Sequence, residues 1–319
     1  MAVRKLIFDS DGGVDDAQAL IMLIANGRTP DILTAVFGNV GRDQAATNLL
    51  AVCSLMGVSI PLHRGADRPL AQPIIDATYV HGNDGLGGAA RPAKQDEPTS
   101  DDAIGVLVRT FREAAVTGEK VDVLMIGPLT NLALALRLAP DIVRGIGTLT
   151  IMGGTVHGRG NTTPAAEFNI FADPEAADIV LTAGIETVVV PWESCVSHYM
   201  AGTRVDAMFD SLPETPVATF SRTLVNHYRG VRKTFKAPDN MLYVDPLAAA
   251  VLIDPSMIRK SVQASSSVAL APGLTRGMTL VDPSGRLGTP KITFVEEVDT
   301  AKVDALYAVS VAYVPSTTR

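Results

Sequence analysis

The sequence predicts an α/β fold with a mostly parallel central sheet flanked by helices. Three observations lead there. Short apolar, β-branched runs alternate with longer stretches of helical periodicity through the first half of the chain. The composition is 47% hydrophobic but only 5% aromatic, so Ala, Val, Leu and Ile must fill the core, as they do where parallel strands are covered on both faces. Gly- and Asn-rich segments fall at the predicted strand ends, where open α/β sheets place their ligands.

The elements follow in order. Leu6-Ile7-Phe8 reads as a short buried strand, and Val14 to Ala25 as a helix stopped by Asn26-Gly27. Ile32 to Phe37 is β-rich, Asp43 to Met56 is helical up to Gly57, and Val58 to Leu62 is a third strand. Such alternation implies right-handed crossovers and parallel pairing. Residues 65–100 interrupt it with a Gly-, Pro-, Asp- and Asn-rich stretch, which reads as a binding loop or a disordered segment. The pattern resumes with helix 101–117, strand 121–126, helix 129–138 and strand 147–152, then a second Gly/Asn-rich loop over 153–169. Helix 174–183 and strand 187–191 come next, followed by helices near 204–211, 215–230 and 245–253. The last part mixes strands near 261–269, 279–281 and 291–296 with a final helix or strand near 301–313. No repeat, low-complexity tract or linker divides the chain, so residues 1–319 read as a single domain.

The net charge of −7 argues against a nucleic-acid backbone or an anionic membrane as partner. The basic run Arg229 to Lys236 reads either as a solvated helix end or as a loop that moves over a ligand. Cys53 and Cys195 make neither a disulfide framework nor a zinc site, which fits a reducing compartment. Met1 to Lys5 is too short for a signal-peptide core, and no apolar run approaches the ~18 residues of a membrane span. A soluble cytoplasmic protein is the expectation.

The densest chemistry lies at Asp9-Ser10-Asp11-Gly12-Gly13-Val14-Asp15-Asp16, between the first strand and the first helix. Like charges this close repel unless some protonate or a cation is present. Helix capping accounts for Asp15 or Asp16, but not for Asp9 and Asp11 at the end of a buried strand. No His or Cys stands nearby, and all-oxygen donors favour calcium, magnesium or manganese over zinc. A competing reading is a haloacid-dehalogenase-type phosphatase, with Asp9 as nucleophile and Asp11 as acid/base. That pattern wants Thr or Val soon after the second aspartate and expects no further Asp-Asp pair.

The Asp-x-Asp-x-Gly-x-Asp-Asp arrangement resembles the N-terminal signature of the nucleoside hydrolase family. Further matches follow in that family's order: Gly38-Asn39, Gly127-Pro128-Leu129-Thr130-Asn131, Gly153-Gly154 with Asn161, Glu167-Phe168-Asn169, Asp173-Pro174, Asp245-Pro246 and Gly277-Met278-Thr279. The resemblance runs from residue 6 to about residue 283 and removes most of the weight from the phosphatase. It implies the Rossmann-like fold of that family and hydrolysis of a ribonucleoside to ribose and free base, as in purine and pyrimidine salvage. It also implies a calcium ion held by Asp11, Asp16, Asp245 and the carbonyl of Ile126. Asp11 would be general base on the attacking water. Asp15, Asn39, Met152, Asn161, Glu167, Asn169 and Tyr228 would hold the substrate, and Asp9 would orient the ligands from behind. A homo-oligomer, dimer or tetramer, is what such a family suggests.

Two positions depart from the family pattern. Gly12 replaces a usual proline, and Val244 replaces a histidine proposed to protonate the departing base. His81, or His227 and Tyr228, are candidates to replace it, and His81 is the one expected to face the base and act catalytically. Aromatic stacking is another route, although the only tryptophan, Trp192, lies elsewhere in the sequence. Val244 also leaves open a non-catalytic protein that binds nucleoside or ribose without cleaving it, or a substrate other than the common nucleosides.

Overall fold

The structure, a computed structural model, describes residues 4–315. Met1 to Val3, read above as part of a short lead-in to the first strand, lie outside the described residues. The first third comprises β1 (Leu6–Ser10), α1 (Val14–Ala25), β2 (Ile32–Ala35), α2 (Arg42–Met56), β3 (Leu62–Arg64), the single turn α3 (Thr78–His81) and α4 (Ala103–Thr117). The middle comprises β4 (Val121–Met125), α5 (Thr130–Leu138), β5 (Ile146–Met152), α6 (Phe168–Ala172), α7 (Pro174–Leu181), β6 (Glu186–Val190) and α8 (Trp192–Ser197). The remainder runs β7 (Tyr199–Ala201), α9 (Gly202–Asp210), α10 (Pro216–Thr234), β8 (Asn240–Leu242), α11 (Asp245–Ile253), β9 (Ile258–Val268), β10 (Thr279–Asp282), β11 (Lys291–Val298) and α12 (Thr300–Val311).

Nine strands form one sheet in the order β10-β9-β11-β6-β5-β4-β1-β2-β3, and β7 pairs with β8 in a separate ribbon. The pairings from β3 across to β6, and of β6 with β11, are parallel. Only β9 runs against the others, pairing antiparallel with β11 on one side and with the edge strand β10 on the other. Strand β1 shows why both faces must be apolar. Leu6 and Phe8 enter one buried cluster, with α1, α2 and α11, while Ile7 enters the other, with α4, α5 and α7. Full burial of such a side chain contributes roughly 1.5–3 kcal/mol. Strand order reverses at β1, which lies between β2 and β4. That switch opens a crevice at the carboxyl ends of the strands.

Three local expectations are corrected. The third strand is Leu62–Arg64 rather than 58–62; Pro61 has no N–H for the ladder and serves only as acceptor, from Leu33. Helix α10 continues past residue 230 to Thr234, so six of the eight residues of the basic run are helical. The final segment is a helix, α12. Among the described residues no helix is long and apolar enough to cross a membrane.

Candidate active site

The loop after β1 begins with Asp9, whose Oδ2 accepts the Thr34 hydroxyl at 2.5 Å and the Asn131 amide at 2.7 Å. Asp9 thereby ties β1 to β2 and to the start of α5. Burial pushes its pKa up to about 7. It does not line the cavity described below, so a nucleophilic role for it, as in a phosphatase, has no access to substrate.

Asp11 is fully buried. Its Oδ2 accepts the Asn39 main-chain N–H at 2.7 Å, and its Oδ1 accepts the Asn39 side-chain amide at 3.0 Å. Gly38 permits this closeness: a Cβ there would stand 1.9 Å from Asp11 Oδ2. Gly12 has φ +71, a conformation closed to proline, so the loop takes a path that the family's usual residue could not. Asp16 sits in the first turn of α1, and its oxygens accept the N–H groups of Gly12 and Gly13 at 3.2 and 2.8 Å and the Ser10 hydroxyl at 2.6 Å. It therefore caps the helix, as the bland reading required, and also takes the Asn39 amide at 3.0 Å.

Oxygens of Asp15, Asp16 and Asp245 lie within 4.8 Å of one another. Asp245 opens α11 ahead of Pro246 but makes no capping bond; its carboxylate belongs to the cluster. Burial, then repulsion from Asp15, Asp16 and Asp11, pushes the Asp245 pKa well upward. Burial, then Asp16, does the same to Asp11, and takes Asp15 to about 7. The Asp15 Oδ1 is buried with no hydrogen-bond partner. Three converging carboxylates, one with an orphaned oxygen, fit a hard divalent cation. Asp15 belongs to this trio, whereas Asp11, expected in it, stands behind with both oxygens given to Asn39. The Ile126 carbonyl lines the same cavity and accepts the Asn169 amide at 2.9 Å.

These groups open into a cavity of about 400 Å³. Asn169 also donates to the Met152 carbonyl at 3.1 Å. Glu167 is buried. Its oxygens cap α6 by accepting the N–H groups of Asn169 and Ile170, and they also take that of Gly154. Burial raises its pKa to about 7. Asn161, exposed at the rim, accepts the Phe168 N–H at 2.8 Å.

His81 reaches the cavity from α3. Its Nδ1 accepts the Val14 main-chain N–H at 3.1 Å and lies 3.6 Å from Asp15 Oδ1. An accepting Nδ1 puts the ring proton on Nε2. Burial pushes the pKa down to about 4, so the ring is neutral at neutral pH and the only proton it carries is the weakly acidic Nε2–H.

Of the opposite wall, the sequence singled out Tyr228 but not its neighbours on the same helical face. Tyr228, Val231, Arg232 and Phe235 line the cavity at spacings i, i+3, i+4 and i+7, one face of the last turns of α10. That helical stripe was a legible signal inside the basic run. Trp192, set aside above as lying elsewhere in the sequence, also lines the cavity, as do Phe168, Tyr79 and Val244. His227, expected as a candidate for the base, instead donates to the Val80 carbonyl at 2.9 Å and ties α10 to α3.

A hydroxyl-binding floor of carboxylates and amides facing an aromatic wall suits a sugar that carries a flat ring, which places the protein among hydrolases of N-glycosides. Comparison with known proteins narrows that class. The model of the inosine-uridine preferring nucleoside hydrolases matches residues 6–305. The pyrimidine-specific ribonucleoside hydrolase RihA of Citrobacter koseri is 34% identical over 305 residues, covering 92% of this chain and 93% of that protein. The non-specific ribonucleoside hydrolase RihC of Klebsiella pneumoniae is 34% identical over 289 residues, covering 89% and 90%. Among solved structures, the plant nucleoside hydrolase PpNRh1 superposes with a TM-score of 0.88 at 28% identity, covering 98% of this chain and 99% of that one. An inosine-guanosine nucleoside hydrolase gives a TM-score of 0.87 at 28% identity, with the same coverage. The chain belongs to the inosine-uridine preferring nucleoside hydrolase family, and it is an enzyme of ribonucleoside hydrolysis.

Proposed function

We propose that the protein cleaves ribonucleosides to ribose and free base with a calcium ion at the Asp15–Asp16–Asp245 cluster. The observation that carries this is the convergence of those three carboxylates, two of which, Asp15 and Asp245, line one cavity together with Ile126. All are hard oxygen donors, and Asp11 stands behind them, held by Asn39. When bound, such an ion polarises a water and the sugar hydroxyls. Asp11 accepts the proton of the attacking water, a role its upward-shifted carboxyl suits. The water oxygen bonds to the anomeric carbon, and the electron pair of the C–N bond leaves with the base through an oxocarbenium-like transition state. Asp15, Asn39, Asn161, Glu167 and Asn169 hold the ribose hydroxyls, with Met152 beside them and Tyr228 toward the base. Asp9 braces the strand ends through Thr34 and Asn131.

The test is ribose release from inosine, adenosine, guanosine, uridine and cytidine, with and without a calcium chelator. Release that the chelator abolishes and calcium restores is expected. Full release in the chelator's presence would remove the ion from the proposal. Deoxyuridine should turn over at least tenfold more slowly than uridine, since the 2-hydroxyl is among the groups held. A cytoplasmic dimer or tetramer is part of the same proposal, and size-exclusion chromatography with light scattering checks the assembly.

A further inference from the structure

The wall opposite the carboxylates holds one cation among the described residues, Arg232. Its Nη2 donates to Asn240 Oδ1 at 2.7 Å, and its guanidinium lies 5.9 Å from the Tyr228 ring centroid. Its Nε is shielded from solvent and has no hydrogen-bond partner. Arg232 lines the cavity, and its Nη1, which is not sealed off as Nε is, is the group that can meet a ligand there. Arg229, one residue beyond Tyr228, is clasped by Asp206 and Asp239 at 2.5–3.2 Å. That clasp sets the rotation of α10 about its axis and turns the Arg232 face toward the cavity.

Neutral donors also line the cavity, the Trp192 indole, the Tyr79 and Tyr228 hydroxyls and the His81 Nε2–H, but Arg232 alone among them brings a full positive charge. Val244 is apolar, His81 gives its Nδ1 to Val14, and His227 gives its Nε2–H to Val80. Yet when the C–N bond breaks, the departing base carries the bond's electron pair. In uracil and cytosine that charge spreads to O2, the carbonyl oxygen on the carbon next to the breaking bond. Purines present a ring nitrogen there instead.

We propose that Arg232 hydrogen-bonds O2 of a pyrimidine base and stabilises the leaving anion, doing by charge what a histidine at position 244 would do by proton transfer. The inference rests on the nucleoside-hydrolysis reading and deepens it to pyrimidine ribonucleosides. The balance is complete without an acid: water gives its proton to Asp11 and its oxygen to the sugar. The base leaves as an anion and takes a proton from solvent.

The experiment compares uridine with 4-nitrophenyl β-riboside, whose leaving group needs no help from the protein. Arg232→Met should lower kcat on uridine by roughly 10²-fold, the usual effect of removing one charge-stabilising donor. It should leave the nitrophenyl riboside within about threefold of wild type on the same principle. Arg232→Lys, which keeps the charge but not the planar fork, should fall between. Equal losses on both substrates would mean that Arg232 only holds the wall together, and no loss on either would mean that it does not meet the base; both overturn the proposal. Wild-type protein that releases ribose from no substrate sinks the underlying reading before any variant is made.

Discussion

His81 Nδ1 accepts the main-chain N–H of Val14 at 3.1 Å, across 67 residues of sequence. That amide is one of the unpaired donors at the start of α1, the helix whose first turn carries Asp15 and Asp16. The imidazole is thus a prop for the carboxylate loop, held neutral by burial. His81 should show no titration between pH 5 and 8 by histidine NMR; a midpoint near 6.5 would return it to acid catalysis. His81→Ala leaves the buried Val14 N–H unpaired, at a cost of about 1–3 kcal/mol, and should lower the thermal midpoint by several degrees. His81→Asn, which can present an acceptor to Val14, should recover most of that loss.

The carboxylates set a pH dependence whose sign is fixed. Asp9, Asp15 and Glu167 stand at about 7 in the fold, against ordinary values of 3.8 and 4.5. Between those limits the folded chain keeps protons that the unfolded chain has lost. Their stabilisation is therefore complete below about pH 4 and disappears as the pH rises through 7. In the presence of a chelator, thermal melts should show falling stability from pH 5 to pH 8. Saturating calcium should flatten that fall, because an ion takes over the charge compensation. A chelated protein that grows steadily more stable from pH 5 to 8 would contradict the assignment.

Asp11→Asn separates catalysis from folding. The substituted side chain still fits beneath Gly38 and still offers one acceptor to Asn39, while one buried negative charge is removed from beside Asp16. We expect kcat to fall 10²–10⁴-fold, the range for loss of a general base. Under chelation the melting temperature should equal or exceed that of the wild type. Near-normal turnover by this variant would reassign the base.

Trp192 is the only tryptophan of the chain and lines the cavity, so it reports on the base subsite without a label. Titration with uridine or free uracil should change its emission saturably, because a flat ring stacked nearby alters the indole's surroundings. Constant emission at concentrations that saturate turnover would place the base away from α8.

Periodicity and composition were enough to determine the alternating strands and helices, because those patterns record which face of each segment is apolar. The Asp9–Asp16 cluster was legible for a similar reason: its members are neighbours in the chain, and capping alone could not explain four carboxylates. Asp245, Glu167 and Asn169 were legible only as members of an ordered series of motifs, because a single Asp, Glu or Asn in a loop or at a helix start marks no site. Tertiary structure decided the rest. It joined Asp15 to Asp16 and Asp245, bound both Asp11 oxygens to Asn39, and set His81 Nδ1 against the Val14 N–H. It also brought Trp192 and the Tyr228–Phe235 stripe to one cavity, although they come from two helices with α9 between them. The physical reason is range. Backbone conformation follows from interactions within a few residues, whereas the rotation of α10 depends on the Arg229 clasp to Asp206 and Asp239, and the neutrality of His81 on burial beneath α1. Those contacts exist only once the sheet has folded.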